Sequence, residues 1–586
     1  MRKPHEWSGL TSTLVATARA YTRSVADDAR PAGRDTRDAL LVGAAALALL
    51  LVSVPCREPG GKALVGGLRV LDGDVPYRDF WTMYAPGQFY VAAALLGVFG
   101  RHALVPAVAA VVLVAATAAL LFALARRLGA RTSSGVLLAA TLVLASFTAR
   151  PELSSYEPAL LAIVLGLHAL LTWFRTGSRR ALVAAGLALG AAACCKHDVA
   201  FHAALAFTAA LLAHAAATRE GLRQAATGTV RALGGLAGGC ALVVVPVAVL
   251  VAASAGRDAW QDLFVFPARV FPLVMREAFP GLLPNPAPLE RWRAAPGDAR
   301  AAIAALGAIG NWAACRLPLV VALGALATWR LRSERTPARG AFVALAAVAV
   351  PLFFASAHVQ QNTHPVSMLV FAALGVAALD VPARAERRAA PRLVTAALAL
   401  CALAGAGRQA PAIAEVALLW REGVVVDHGP ARGVRTHAVW HATLVPTADW
   451  IDAHVPPDEP IYVGAARHDA IVASKMVLYA LAERRPATRW HELHPGVADS
   501  ETVQQAIVEE LERGPVRCVV LWRFGLPAAR QDELVAKRRA AVAGLGATRL
   551  DAYIREHYRV VASHGELDIC WRRDAEPPAP WSPAPR

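Results

Sequence analysis

From residue 39 to residue 410 the chain is a succession of long apolar runs separated by short polar gaps. Only a helix or a closed barrel satisfies its backbone in hydrocarbon, and a helix needs about 20 apolar residues to cross it. The runs predict about eleven transmembrane helices, near residues 39–55, 103–124, 133–149, 157–174, 181–195, 198–216, 232–254, 313–329, 340–356, 364–380 and 393–410. The expected class is a polytopic α-helical membrane protein with a soluble C-terminal domain.

Every second gap is rich in arginine. The N-terminal segment 1–38 carries Arg2, Lys3, Arg19, Arg23, Arg30, Arg34 and Arg37, and Arg126, Arg127 and Arg131 fill the first matching gap. Arg175, Arg179 and Arg180 follow, then Arg219, Arg223 and Arg231, then Arg330, Arg332, Arg335 and Arg339, and finally Arg384, Arg387, Arg388 and Arg392. Short loops with excess Lys and Arg stay in the cytoplasm, so this register places the N-terminus inside. The basic stretch is long and no small-residue cleavage site follows the first apolar run, so that run reads as a retained anchor rather than a signal peptide.

The opposite face collects the unusual polar residues. They are the first outer loop, 56–102, TARPELSSYEP around Arg150 and Glu152, CCKHD at Lys196–Asp198, the outer loop 256–312, and SAHVQQNTHP around His358–His364. Charge where a chain leaves the bilayer is rarely idle, and the blander reading of 56–102 is a solvated loop with an interfacial helix. Loop 256–312 sets Phe264, Phe266, Phe271 and Phe279 among prolines, too proline-rich to span and too apolar for a linker. It reads either as an interfacial lid or as a loop packed on the outer domain.

After residue 411 the pattern shortens, and 411–573 reads as an extracytoplasmic α/β domain. Strands are predicted at 460–464, 516–522 and 567–573, and helices at 466–483 and 500–513. It has no GxGxxG after a strand, no P-loop and no nucleophile elbow, so no second active site is expected there. The stretch RRPATRWHELHPG names no chemistry, and 574–586 is a Pro-rich tail.

Composition agrees with the pattern: 586 residues, 56% hydrophobic and 18% charged, with a mean hydropathy of +0.42. A formal charge of +16 would suit nucleic acid if it formed one patch. Here it is spread over the gaps, and no nucleic-acid partner is expected. The eight cysteines form no CxxC pair; most lie in apolar segments as buried thiols, while Cys518 and Cys570 leave a disulfide open.

The run GLRVLDGDVPYRDFWTMYAPGQFYVAAALLGVFG, following Arg57-Glu58-Pro59, resembles the first outer loop of the GT-C superfamily of integral-membrane glycosyltransferases. The likeness is to bacterial relatives of glycosyltransferase family 39, the protein O-mannosyltransferases and the aminoarabinose transferase of lipid A, and covers about residues 35–410. Many relatives carry an acidic pair after the first helix; here Glu58 stands alone. The resemblance implies a cell (inner) membrane enzyme that takes a sugar from a polyprenyl-phosphate donor, its lipid-linked partner. It passes the sugar with inversion to a hydroxyl on a protein, lipid or glycan acceptor at the extracytoplasmic side.

A hydroxyl nucleophile needs a carboxylate to take its proton, and the resemblance gives that role to Glu58, with Asp79 second. The leaving phosphate needs cations or donors, for which Lys62, Arg69, Arg150, Lys196, His197 and His364 are the candidates, and Glu152 and Gln361 join them in the donor phosphate- and sugar-binding set. Blander readings stand beside these. Lys196 can snorkel to the interface, Arg150 with Glu152 can close a loop, and Asp72 and Asp74 suit a turn before Pro76. Tyr77, Trp81, Tyr84 and Tyr90 fit an interfacial belt as well as a sugar platform. His358 and His364 without a nearby carboxylate make a poor divalent-metal site, so no metal is assigned. The alternative function is a lipid-linked glycan transporter or a non-catalytic membrane assembly factor.

Overall fold

The computed structural model describes residues 32–56, 61–148, 152–218, 222–275, 283–331, 336–356, 364–380, 389–514, 516–576 and 578. Each of the eleven predicted runs falls on a helix. Seven are long and apolar enough to cross a membrane: Leu104–Arg127, Tyr156–Thr176, His197–Thr218, Arg223–Val274, Ala299–Arg330, Pro337–Ala355 and Arg392–Glu422. The helices Thr132–Ser146 and His364–Ala377 are shorter, and Arg179–Cys195 has 17 residues. The expectation of about eleven full spans therefore reduces to seven of full length among the described residues. Every residue of His364–Ala377 except Val366 is buried between its neighbours, so the helix is surrounded by protein rather than lipid.

Two ends of the bundle differ in chemistry. At one end Arg131 pairs with the buried Asp380 (2.9 Å), which also accepts from Ser134 (2.6 Å). Arg126 reaches Asp35 (3.1 Å) and Arg175 donates to the Arg127 carbonyl. These ion pairs close the arginine-rich gaps against the helix ends. At the other end lie Lys196, His364 and the first outer loop.

That loop forms two helices, Lys62–Leu71 and Gly87–Phe99, packed on each other. Between them Tyr77 is fully buried with φ +68°, a left-handed backbone that costs a bulky residue on the order of 1–3 kcal/mol. Its surroundings over-determine it. The Tyr77 N–H donates to the Phe80 carbonyl (2.8 Å), its hydroxyl to the Tyr84 carbonyl (2.6 Å), and its own carbonyl accepts from Arg489 (2.8 Å). The VPYRDF turn thus fixes where Tyr84 stands.

The segment predicted as the loop 256–312 is largely helical. The span beginning at Leu222 breaks at Gly256 (φ +51°), and a π-helix, Gln261–Val270, with Pro267 inside follows. Proline withholds an N–H from the ladder, which suits the wider π turn. The next long helix starts at Ala299 rather than near 313.

The C-terminal region is a four-stranded sheet in the order Tyr462–Ala465, Cys518–Trp522, Leu567–Arg572, Tyr558–His564. The first pair is parallel and the others antiparallel. The strand Tyr558–His564 was not predicted; it is an edge strand with most residues partly or fully exposed, so it lacks an apolar run. The predicted helix 466–483 shrinks to Val477–Leu481, because His468 turns inward to bond Tyr462 and Asp551 instead of continuing a helix. Cys518 lies opposite Trp571 and Cys570 opposite Val519. Side chains alternate between faces along a strand, and the two thiols sit in separate cores. Both are free and buried.

Candidate functional site

Two sequence motifs meet at one end of the bundle. YAPG begins the helix Gly87–Phe99, and a Cβ on Gly87 would stand 2.6 Å from the Cys194 carbonyl oxygen. Only glycine permits this approach, and it brings Tyr84 alongside the CCKHD hairpin. There Lys196 caps the helix Arg179–Cys195 and is 5% exposed. Its Nζ pairs with Asp198 Oδ1 at 3.1 Å and lies 5.1 Å from the Tyr156 ring centroid and 5.7 Å from that of Tyr84. A buried ammonium loses several kcal/mol of hydration, which the carboxylate and two aromatic faces offset in part.

These groups open onto a cleft of about 350 Å³. One wall is polar, with Tyr84, Lys196, His197, Asp198, His202 and His364; the other is the apolar Leu263, Phe264, Pro267, Ala268, Phe271 and Pro272. The apolar wall belongs to the segment whose phenylalanines and prolines were read as a lid or a packed loop. His197 and Phe264 face each other across it with ring centroids 5.9 Å apart. His364 lies among the rings of Phe353 (5.7 Å), His202 (6.2 Å) and Tyr156 (6.4 Å). A second cleft of about 360 Å³ lies inside the bundle, with Ser154, Tyr156, Glu157, Arg408 and Gln409 on its walls.

Lys62 approaches Tyr84 from the outer loop. Its Nζ donates to the Tyr84 hydroxyl oxygen (2.7 Å) and pairs with Glu492 Oε1 (2.9 Å). Burial pulls the Lys62 pKa down, but the Glu492 carboxylate and the Tyr84 oxygen outweigh it and hold the ammonium above the ordinary lysine range. Burial pushes the Tyr84 phenol up, against Lys62. It therefore stays neutral, with a proton to donate.

The remaining predicted residues fall elsewhere. Glu152 Oε1 accepts from the Ala63 N–H (3.0 Å), capping the helix that carries Lys62. Arg69 is held by Asp74 (2.6 Å), the Asp79 carbonyl (2.7 Å) and His491 (3.3 Å), which ties the outer loop to the C-terminal domain and keeps it from the cleft. Asp79 accepts from Arg78 (2.6 Å) and from the Val75 N–H (2.7 Å). The Arg78 hydrogen bonds hold its carboxyl below the usual range, against a partial burial that raises it. It closes the turn and does not line the cleft. Glu58, Arg150, Gln361 and His358 lie outside the described residues.

Sequence reasoning placed Lys196, His197 and His364 in one site, and they share one cleft. It left Tyr84 between belt and sugar platform, named Asp198 only as part of CCKHD, and did not single out His202, which also lines the cleft, or Glu492, which pairs with Lys62. His202 was findable, one helical turn after Asp198. Glu492 was not, since no local pattern connects HELH to Lys62.

The sequence matches no family model and no curated protein. Among solved structures the chain is similar to ArnT from Cupriavidus metallidurans bound to undecaprenyl phosphate. The TM-score is 0.43 at 14% identity, over 91% of this chain and 97% of that one.

Proposed function

We propose that the protein is a membrane glycosyltransferase that moves a sugar from a polyprenyl-phosphate donor to an acceptor hydroxyl at the extracytoplasmic side. The observation that carries this is the two-sided cleft. Its wall of Lys196, His197, Tyr84 and Asp198 suits a sugar phosphate, and its wall of Phe264, Pro267 and Phe271 suits the first isoprene units. The arginine-rich opposite end of the bundle, taken as cytoplasmic, puts the cleft outside.

In the proposed reaction the acceptor oxygen attacks the anomeric carbon from the side opposite the phosphate, so configuration inverts. The carbon–oxygen bond to the phosphate breaks as the new glycosidic bond forms, and the polyprenyl phosphate leaves with the electron pair. The hydroxyl proton passes to a carboxylate. Glu58, four positions before Lys62 in the chain, is the proposed base. Lys196 and the Tyr84 hydroxyl stabilise the phosphate charge as it develops.

The test is sugar consumption by the full-length protein in proteoliposomes carrying a polyprenyl-phosphate sugar. Wild type should consume the donor, and Glu58→Gln should lower the rate by about 100-fold or more. Donor that remains intact with wild type overturns the reading.

A further inference from the structure

The C-terminal domain packs against the first outer loop and against the segment that walls the cleft. Leu64, Val65 and Leu96 of the outer loop share one core with Leu444, Ile451, Leu478 and Trp571 of the domain. A second shared cluster joins Trp81 and Met83 to Phe266 and Phe271 of the apolar cleft wall and Val497 of the domain. At the start of the Lys62 helix, a Cβ on Gly61 would stand 2.9 Å from the Val477 nitrogen. Domain and loop are therefore in backbone contact one residue from Lys62.

The unassigned WHELH stretch lies along this seam. Trp490 stacks near Trp81 (6.4 Å), His491 takes Arg69 and packs on Phe80 (5.3 Å), and His494 lies among Phe271 (5.4 Å), Phe266 (5.9 Å) and Trp81 (6.2 Å). Between them Glu492, only 4% exposed, meets Lys62 at 2.9 Å. A carboxylate so buried needs a partner, and Lys62 in turn donates to Tyr84 at the cleft wall. The order Glu492, Lys62, Tyr84 runs from the domain to the cleft.

We infer that Glu492 is a positioning residue of the membrane site, which makes the C-terminal domain part of the catalytic unit. Through its ion pair it fixes the Lys62 ammonium against the Tyr84 oxygen, and so orients the Tyr84 O–H toward the cleft. A hydrogen bond received at the phenol oxygen polarises the O–H and strengthens it as a donor. Glu492 itself does not line the cleft. It acts through Lys62, and this role rests on the glycosyltransferase reading.

Two measurements on the full-length protein in lipid nanodiscs test it. The first needs no turnover: acetylation of Lys62 by an amine-directed ester, followed by peptide mass spectrometry, with the exposed Lys537 as reference. Glu492→Gln should speed Lys62 labelling by about fivefold or more, because the free amine is no longer suppressed by its pair. The second is steady-state consumption of a decaprenyl-phosphate sugar. Glu492→Gln should lower kcat by about tenfold with the donor KM within about twofold, and Glu492→Asp should recover most of the loss.

Unchanged Lys62 labelling overturns the clamp. Unchanged kcat, or a loss that follows the folded fraction and is not recovered by Glu492→Asp, overturns the positioning role. A wild type that consumes no donor overturns the functional reading and with it any part for Glu492 in transfer, while the labelling still decides whether Glu492 holds Lys62.

Discussion

The Lys196–Asp198 pair and the Tyr462–His468–Asp551 chain both bury titratable groups, and they do opposite things. In the C-terminal domain His468 is fully buried, with Nδ1 2.6 Å from Asp551 and Nε2 2.9 Å from the Tyr462 hydroxyl. The Ala465 N–H also points at its Nε2 (3.3 Å). These polar atoms bond one another, and the network faces core. Lys196 is almost as buried, yet it shares its wall with His197, His202 and His364 around an open cleft. Burial of charge alone does not mark a site. Burial beside space for a ligand does.

The sharpest way to break this contrast is to remove the cation. Lys196→Met keeps the length of the side chain and loses its charge, and sugar transfer in proteoliposomes should fall by about 100-fold or more. If the rate stays near wild type, the cleft is not where the phosphate sits and the two regions lose their distinction.

The closed network predicts the converse. His468→Ala strands the buried Tyr462 hydroxyl and leaves Asp551 only the backbone N–H of residue 468, which should destabilise the domain by about 1–3 kcal/mol. Thermal denaturation followed by circular dichroism would report it. Donor consumption per folded molecule should stay level, since His468 touches neither the cleft nor Lys62. A loss of turnover without a loss of stability would assign the network a role in the reaction.

Much of the contrast was legible in the sequence, for reasons that differ by region. The helices could be read because hydrocarbon demands long apolar runs, and CCKHD stood out because charge at a span end is costly. The segment 256–312 could be narrowed to a lid or a packed loop because its phenylalanines and prolines fit neither a span nor a linker. What could not be read depends on distant partners. Asp79 looked like a second base, but Arg78 beside it and the turn at Val75 absorb its carboxylate. Tyr84 read equally as a belt aromatic or a sugar platform until the close approach of Gly87 to Cys194 brought it beside Lys196. Glu492 lies 430 positions beyond Lys62, and no periodicity spans that distance.

The segment 256–274 offers a smaller test. Arg489 of the C-terminal domain holds it through Asp258 (3.1 Å) and Asp262 (3.2 Å) while also holding the Tyr77 carbonyl. Arg489→Met keeps the length of the side chain and removes all three contacts, so hydrogen exchange of residues 261–274 should speed up by several-fold. Unchanged exchange would place the anchor of this segment elsewhere.

The smallest effect is expected at Asp79. Asn is isosteric and its carbonyl can still accept from the Val75 N–H, so Asp79→Asn removes the charge that Arg78 neutralises and the Arg78 hydrogen bond to the other oxygen. Arg78 is about half exposed, with 52% of its side chain accessible, so water and salt screen the pair and it adds little to stability. The thermal midpoint should barely move, and transfer should stay within about threefold of wild type. A fall of about 100-fold would mean that the Arg78 pair opens and that Asp79 takes the acceptor proton. The polar cleft would then extend out along the VPYRDF turn, and the line between functional and structural carboxylates would have to be drawn beyond Tyr77 rather than at Tyr84.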